Sequence, residues 1–496
     1  MTDMVMRVKL IDSIFALAVI AIPFDAIAGL KSFGELGNES SFYLFALAMG
    51  LYGINAAGAS VAGELDERPG GTLVWRTGAA IVIVIAISAL WNAAEISAAT
   101  FHGRDGLAKL VTSATVVIYG LALALLTRAV VLGRWYAYLI LPICVSAALC
   151  VGFGMLEALD RAGMSLPLYQ TVNSLLHAGS DHTVQSWDGT LNLRLIEGWD
   201  KRLRTVSFEP PSFGNFAGLA WPWLFAAIFI TRGIRKALHI FLLLAFTALI
   251  VGSQARTGWL LLATNVAAFG LLKFLFLPPD GRVSKSATSI GALLLFAVVA
   301  VIIFYAASFD EVIREAVVGT SVSDLSRLAY QVTSIRMFSE YPILGVGLGQ
   351  FAFKAMSYMP DWGFLSSEVK ASLRFNDAPW PNTYSLYARL AAELGLIGLF
   401  GWISIWIALI VSVRAAGLIY ANLGRNVPVV AYPIIMNCAD VIVTGLTTDT
   451  FRTPMIWITL GAGAAFSARV GQLAGGALRP STRPIPSQTY LTSSRS

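Results

Sequence analysis

Four polar clusters interrupt an otherwise apolar chain, and arginine recurs in all of them. The first, RLRTVSFEPPSFG from Arg202 to Gly214, sets Glu209 close to Arg202 and Arg204. Two prolines follow Glu209. Proline removes a backbone donor and restricts the residue before it, so this carboxylate cannot stand inside a helix. The second cluster, SQARTGW from Ser253 to Trp259, joins two apolar runs by so short a turn that Arg256 must lie at an interface. An arginine there either serves a site or merely snorkels to water. The third, SRLAYQVTSIRMFSEYPILGVGLGQF, runs from Ser326 to Phe351. Arg327 and Arg336 are nine positions apart in it, which at about 100° per residue puts them on opposed faces of a helix. Only one of them faces a given ligand. Gly345, Gly347 and Gly349 permit close backbone approach, but no strand and helix frame them as in a dinucleotide site; Gly345 and Gly347 are read as structural support. The fourth is PWPNTYSLYARLAAELGLIG, Pro379 to Gly398, where Arg389 and Glu393 stand one helical turn apart and can pair. An exposed pair of that kind contributes little.

Several fixed cations at span ends, with acids nearby and no metal-ligand spacing, call for an anionic ligand and neither a metal nor another cofactor. His177 and His182 have no partner spacing and read as surface histidines. Cys144, Cys150 and Cys438 fall in apolar runs, as packing residues. Guanidinium forks match phosphate oxygens bidentately and stay charged at any working pH. A lipid diphosphate is therefore the natural ligand, with Arg256 and Arg327 as catalytic cations and Arg202, Arg204, Arg336 and Arg389 as further contacts.

The elements that must carry these residues are membrane helices. Hydrophobic residues make up 56% of the 496 and charged ones 13%, with mean hydropathy +0.70; no soluble domain of this length sustains that composition. The expected fold is an all-α polytopic membrane protein. Windows of roughly 20 apolar residues give about twelve spans, near 10 to 29, 41 to 63, 77 to 95, 110 to 131, 137 to 159, 212 to 231, 237 to 253, 257 to 277, 290 to 308, 394 to 413, 427 to 447 and 453 to 470. Arg7 and Lys9 inside bring Arg128, Arg134, Arg232, Arg235, Lys236, Lys273, Arg282, Lys285, Arg414 and Arg425 to the same side. Only the net acidic loop from Glu64 to Arg76 dissents. The net charge of +6 is thus topology and not nucleic-acid binding.

This divides the chain into an N-terminal helical region (1–160), a first outer loop (161–211), a middle helical region (212–308), a large outer loop (309–390), a last helical region (391–470) and a Pro- and Ser-rich inner tail (471–496) expected to be disordered. The outer loops, rich in aromatic residues, arginine and glycine, are expected to fold as lids. The AIAG stretch from Ala26 resembles a cleavage site, but Pro23 and Asp25 before it favour a retained first helix.

From about Arg202 to Phe400 the sequence resembles the integral-membrane O-antigen ligases and Wzy-type polysaccharide polymerases. The resemblance rests on Arg204 followed by FEPPSFG, on Ser253 to Arg256, on SRLAYQ followed by EYPILGVGLGQF, and on PNTYSLYARLAAELGLIGLFG. It implies a GT-C-like glycosyltransferase of the bacterial inner membrane, both termini cytoplasmic and the site periplasmic. Its donor would be an undecaprenyl-diphosphate-linked glycan; other partners are the growing polysaccharide, membrane lipid, a chain-length regulator and a flippase. Arg256 and Arg327 match the family's outward arginines, and Asn382, Tyr384 and Glu393 its polar helix entry. Asn382 and Tyr384 are then substrate contacts, with Glu393 a supporting partner of Arg389. The family commonly has His before that Asn, and here Pro381 stands instead. Glu209 becomes the candidate base: burial would raise its pKa and neighbouring arginines would lower it.

The Glu-Pro-Pro run and the missing His favour polymerase over ligase, and transfer of glycan to protein shares the same features. A secondary transporter is the rival from another class. Asp12, Asn55, Asn92, Glu95, Asn265 and Asp440 lie in or near spans, but no internal repeat accompanies them.

Overall fold

A computed structural model describes residues 2–25, 27, 40–61, 72–132, 134–164, 166–177, 202–207, 209–275, 322–376, 380–422 and 429–477. The span expected near 290 to 308, His182, most of the Glu64 to Arg76 loop, most of the AIAG stretch and the tail beyond 477 lie outside the described residues.

Six helices among the described residues are long and apolar enough to cross a membrane. They lie at Leu73–Trp91, Gly106–Val131, Tyr136–Arg161, Pro210–Ile230, Ile234–Gly252 and Leu386–Tyr420. Four others join them: Thr2–Ile20, Ser40–Val61, Arg256–Leu275 and Pro454–Ala477. Ala431–Thr444 is apolar but has only 14 residues; at 1.5 Å rise per residue that is about 20 Å, short of a bilayer's roughly 30 Å hydrocarbon core. The described residues are all-α apart from a two-stranded hairpin, Thr100–Phe101 with Arg104–Asp105.

Local sequence sets the helix starts at the end where the site lies. Pro210–Ile230 opens with proline in its first turn, preceded by Glu209 in extended backbone, a position where the missing N–H costs nothing. Gly106–Val131 is capped by Asp105, whose carboxylate accepts from Ala108 N at 2.9 Å. The core between helices is filled by large aromatics such as Trp223, Trp402, Trp406 and Trp457, all fully buried.

Residues 322–376 fold over this end as a helical cap of Val322–Glu340, Phe351–Tyr358, a 3-10 turn at Asp361–Leu365, and Ser367–Arg374. The cap has its own small core, in which Tyr330, Met337, Phe351, Val369 and Leu373 pack with Ala392 of the long helix Leu386–Asn422. That helix is kinked at Gly395, with φ 63° and ψ −162°. The kink frees backbone groups, and the segment after Pro342 takes them up: Leu396 N donates to Pro342 O at 2.8 Å and Val346 N to Ala392 O at 3.0 Å. A Cβ on Gly395 would come within 2.3 Å of Ile343 O. Gly345 likewise lies so close to Glu393 that its Cβ would meet the carbonyl carbon at 2.3 Å. Gly345 therefore docks backbone on backbone, whereas a Cβ at Gly347 would first meet the Ile96 side chain and one at Gly349 the Ser113 hydroxyl.

Candidate functional site

The loop before Pro210 is held from below by a buried carboxylate. Glu157 is fully buried in its helix. It accepts from Thr205 N at 2.8 Å and from Arg204 N at 3.2 Å, and pairs with Arg161 at 2.6 Å. Leu203 N donates to Gly252 O and Ser207 Oγ to Pro23 O. Thr205, a β-branched residue, is fixed at φ 55°, where such residues are strained. Four non-glycine residues are recorded at positive φ, His102, Thr205, Gln254 and Tyr384, and all four stand at this end of the bundle.

So anchored, the loop turns Arg202 toward the Ser253 to Arg256 turn. The Arg202 guanidinium donates to Ser253 O at 3.3 Å and Gln254 O at 2.9 Å. Burial lowers its pKa from the ordinary value; Arg256 and Arg327 beside it push the same way, and Glu209 opposes them. Across from it, Arg256 and Arg327 share the carboxylate of Asp324, at 3.4 and 3.6 Å. Arg327 also lies over the Tyr384 ring, 5.5 Å from its centroid. The Arg256 and Arg327 side chains remain 62% and 45% exposed, so both are open to a ligand. Burial pushes the Glu209 carboxyl up from the usual carboxylate range, while Arg327 and then Arg202 pull it back. Tyr384 Oη donates to Glu368 Oε1 at 3.0 Å, and Ser326 Oγ donates to Glu368 Oε2 at 2.5 Å.

A second cleft, about 740 Å³, opens on the other side of the Trp380 to Thr383 segment. Its walls come from the 100–105 hairpin and the start of the next helix, from this segment, and from the Asp449 to Arg452 loop. Arg104 and Lys109 lie over the Trp380 ring at 5.0 and 4.8 Å. Asp449 Oδ2 accepts from Thr383 N at 3.0 Å and Thr383 Oγ1 at 3.1 Å. Arg389 pairs with the buried Glu393 at 3.0 Å and also donates to Asp449 O at 2.9 Å. Asn382 lines this cleft and accepts from Tyr384 N at 2.8 Å. Consecutive residues thus face different ways, Thr383 to Asp449 and Tyr384 to Arg327.

Residues 240–403 match the family model described as O-antigen ligase. No curated protein matches the chain. The matched stretch covers 164 of the 496 residues, about a third of the chain; members of that family are glycosyltransferase-like enzymes. The stretch contains Arg256, Arg327, Arg389 and Glu393, while Arg202, Glu209 and Asp449 lie outside it and meet it in space.

Of the arginines singled out in the sequence, Arg202, Arg256 and Arg327 come together. Arg204 has its backbone on Glu157 and its charge near Tyr169. Arg336 stands on the opposed face of its helix and donates to Tyr358 O at 3.3 Å. Sequence reading missed Asp324, Glu368, Trp380 and Asp449. For Asp449 a signal existed: TTDTFRT, Thr447 to Thr453, is a polar break between two apolar runs.

Proposed function

We propose that this protein is a glycosyltransferase of the bacterial inner membrane that polymerises undecaprenyl-diphosphate-linked repeat units of a cell-surface polysaccharide at the outer face. The observation behind it is the convergence of Arg202, Arg256 and Arg327 around Glu209 and Asp324. The acceptor hydroxyl attacks the anomeric carbon of the donor glycan, and the bond from that carbon to the diphosphate oxygen breaks. The lipid diphosphate departs with the electron pair. Positive groups fixed where that charge develops stabilise the transition state without reorganising, and the arginine forks fit phosphate oxygens. Glu209 sits inside this array. Its charge keeps the three guanidinium groups from repelling one another when no donor is present, and on the sequence-based assignment it takes the acceptor's proton. Asn382 lines the cleft together with the Arg389–Glu393 pair, and Tyr384 lies under Arg327.

Transfer of finished polymer to a lipid A core is the second reading, favoured by the description of the matched family. The glycan profile of a strain lacking the gene separates the two. Single-repeat products are the outcome for a polymerase, and full-length polymer retained on its carrier lipid is the outcome for a ligase. An unchanged profile would overturn both.

A further inference from the structure

Pro381 leaves the second cleft without the histidine that the resemblance leads one to expect, and three carboxylates line that cleft. Glu393 is committed: it is 2% exposed, pairs with Arg389 and accepts from Phe351 N at 3.3 Å. Asp105 is the cap of the helix that starts at Gly106. Asp449 differs from both. One carboxylate oxygen, Oδ2, accepts from Thr383 N at 3.0 Å and lies 3.1 Å from Thr383 Oγ1, whose proton has Ser385 O at 2.9 Å as its other acceptor, and among the described residues Oδ1 takes none. The group is therefore fixed in position with one oxygen left to accept, which is what a proton acceptor requires.

We propose that Asp449 is the catalytic base of the acceptor side and that the cleft it lines binds the acceptor sugar. The proposal rests on the glycosyl-transfer reading above. Thr383 and Tyr384 are adjacent in the chain; the first holds Asp449 and the second lies under Arg327. A donor diphosphate on the arginines and an acceptor hydroxyl on Asp449 are then positioned by adjacent residues of one segment, and they meet at the anomeric carbon of the donor. The acceptor oxygen forms its bond to that carbon, the carbon–phosphate oxygen bond breaks, and the hydroxyl proton moves to Asp449 Oδ1. The products are the glycoside and the lipid diphosphate. On this assignment Glu209 works on the donor side alone, as the charge partner of the arginines.

The test uses purified full-length protein added to detergent-solubilised membranes of a strain lacking the gene, which carry the native lipid-linked glycan. Glycan length is followed on gels, and binding of undecaprenyl diphosphate is measured separately. Asp449→Asn keeps an acceptor oxygen for Thr383. It is expected to lower the transfer rate by about 10²-fold or more with diphosphate affinity unchanged, and Asp449→Glu to recover part of the rate. Glu209→Gln is expected to keep more rate than Asp449→Asn and to alter diphosphate affinity. Transfer by Asp449→Asn within about threefold of wild type, or loss of diphosphate binding in that variant, overturns the assignment of Asp449. If the wild-type protein transfers no glycan in this assay, the glycosyl-transfer reading itself fails; if Arg256→Ala transfers normally, it is the arginine clamp on the diphosphate that fails.

Discussion

At the scale of single residues, the site separates arginines that meet from arginines that do not. Arg256 shares Asp324 with Arg327 and is open to solvent, so on the proposed function its truncation removes a cation from the leaving group's site. Arg256→Ala is expected to lower transfer by about 10² to 10³-fold while the protein remains in the membrane, checked by glycan length against protein abundance. Arg336, bound to a carbonyl on the far face of its helix, supplies the control. Arg336→Ala should keep transfer within about threefold in the same assay. Arg256 and Glu209 stood out in the sequence as charges at span ends and Arg327 as a charge in the large outer loop, because charge is rare in an apolar chain; that the three lie near Arg202 came only from the fold. Asp449 lies in a polar break that the sequence does show, Thr447 to Thr453, but what singles it out there is Thr383, 66 positions away, and no local pattern links two loops that far apart. Asp324 was hidden similarly. In the sequence it is a first-turn acid of an ordinary helix, and only the fold sets it between two arginines.

At the scale of elements, the account depends on loops held rigidly by buried groups. Glu157 fixes the 202–209 loop through two backbone N–H groups and balances Arg161. Removing one partner of a buried pair costs about 3–5 kcal/mol. Glu157→Ala should therefore release the loop, lowering thermal stability and exposing Arg202 and Arg204 to trypsin under native conditions. The Gly395 kink is the second such joint. Gly395→Ala adds a Cβ 2.3 Å from Ile343 O in backbone that L side chains rarely adopt, and the neighbouring atoms are main chain, which cannot give way. A sharp loss of folded protein on size-exclusion chromatography is expected, larger than for Gly50→Ala, where a Cβ meets nothing within 4 Å. The sequence marked Gly345 and Gly347 as places of close approach. It did not reveal that the approaching partner is the kinked helix, since a φ of 63° at Gly395 inside a continuous apolar run leaves no trace in hydrophobicity.

At the scale of the whole molecule, the apolar windows fall on the six helices long and apolar enough to cross a membrane, because a bilayer imposes its thickness on composition. The span expected near 427 to 447 is instead a helix of only 14 residues, and twelve spans are not seen among the described residues. The windows set the start of the long helix eight residues late, near 394 against Leu386. Its first two turns carry Arg389 and Glu393 and project beyond the apolar stretch. They could not foresee the cap, whose core of Tyr330, Phe351 and Val369 is too small to mark a fold. The orientation expected from lysine and arginine placement is open to direct test. Trp380→Cys, in the cleft, should react with a membrane-impermeant maleimide in intact cells, whereas a cysteine replacing Arg414 should react only after permeabilisation. The three native cysteines are buried and give little background.

The central claim is that an arginine array facing an acceptor cleft moves glycan from a lipid diphosphate to a second sugar. The most direct measurement is the release of undecaprenyl diphosphate by purified protein supplied with its native lipid-linked glycan, counted against glycosidic bonds formed. The account predicts one diphosphate per bond for the wild-type protein and loss of both in Arg256→Ala. Bonds formed without diphosphate release, or equal release by Arg256→Ala, would contradict it.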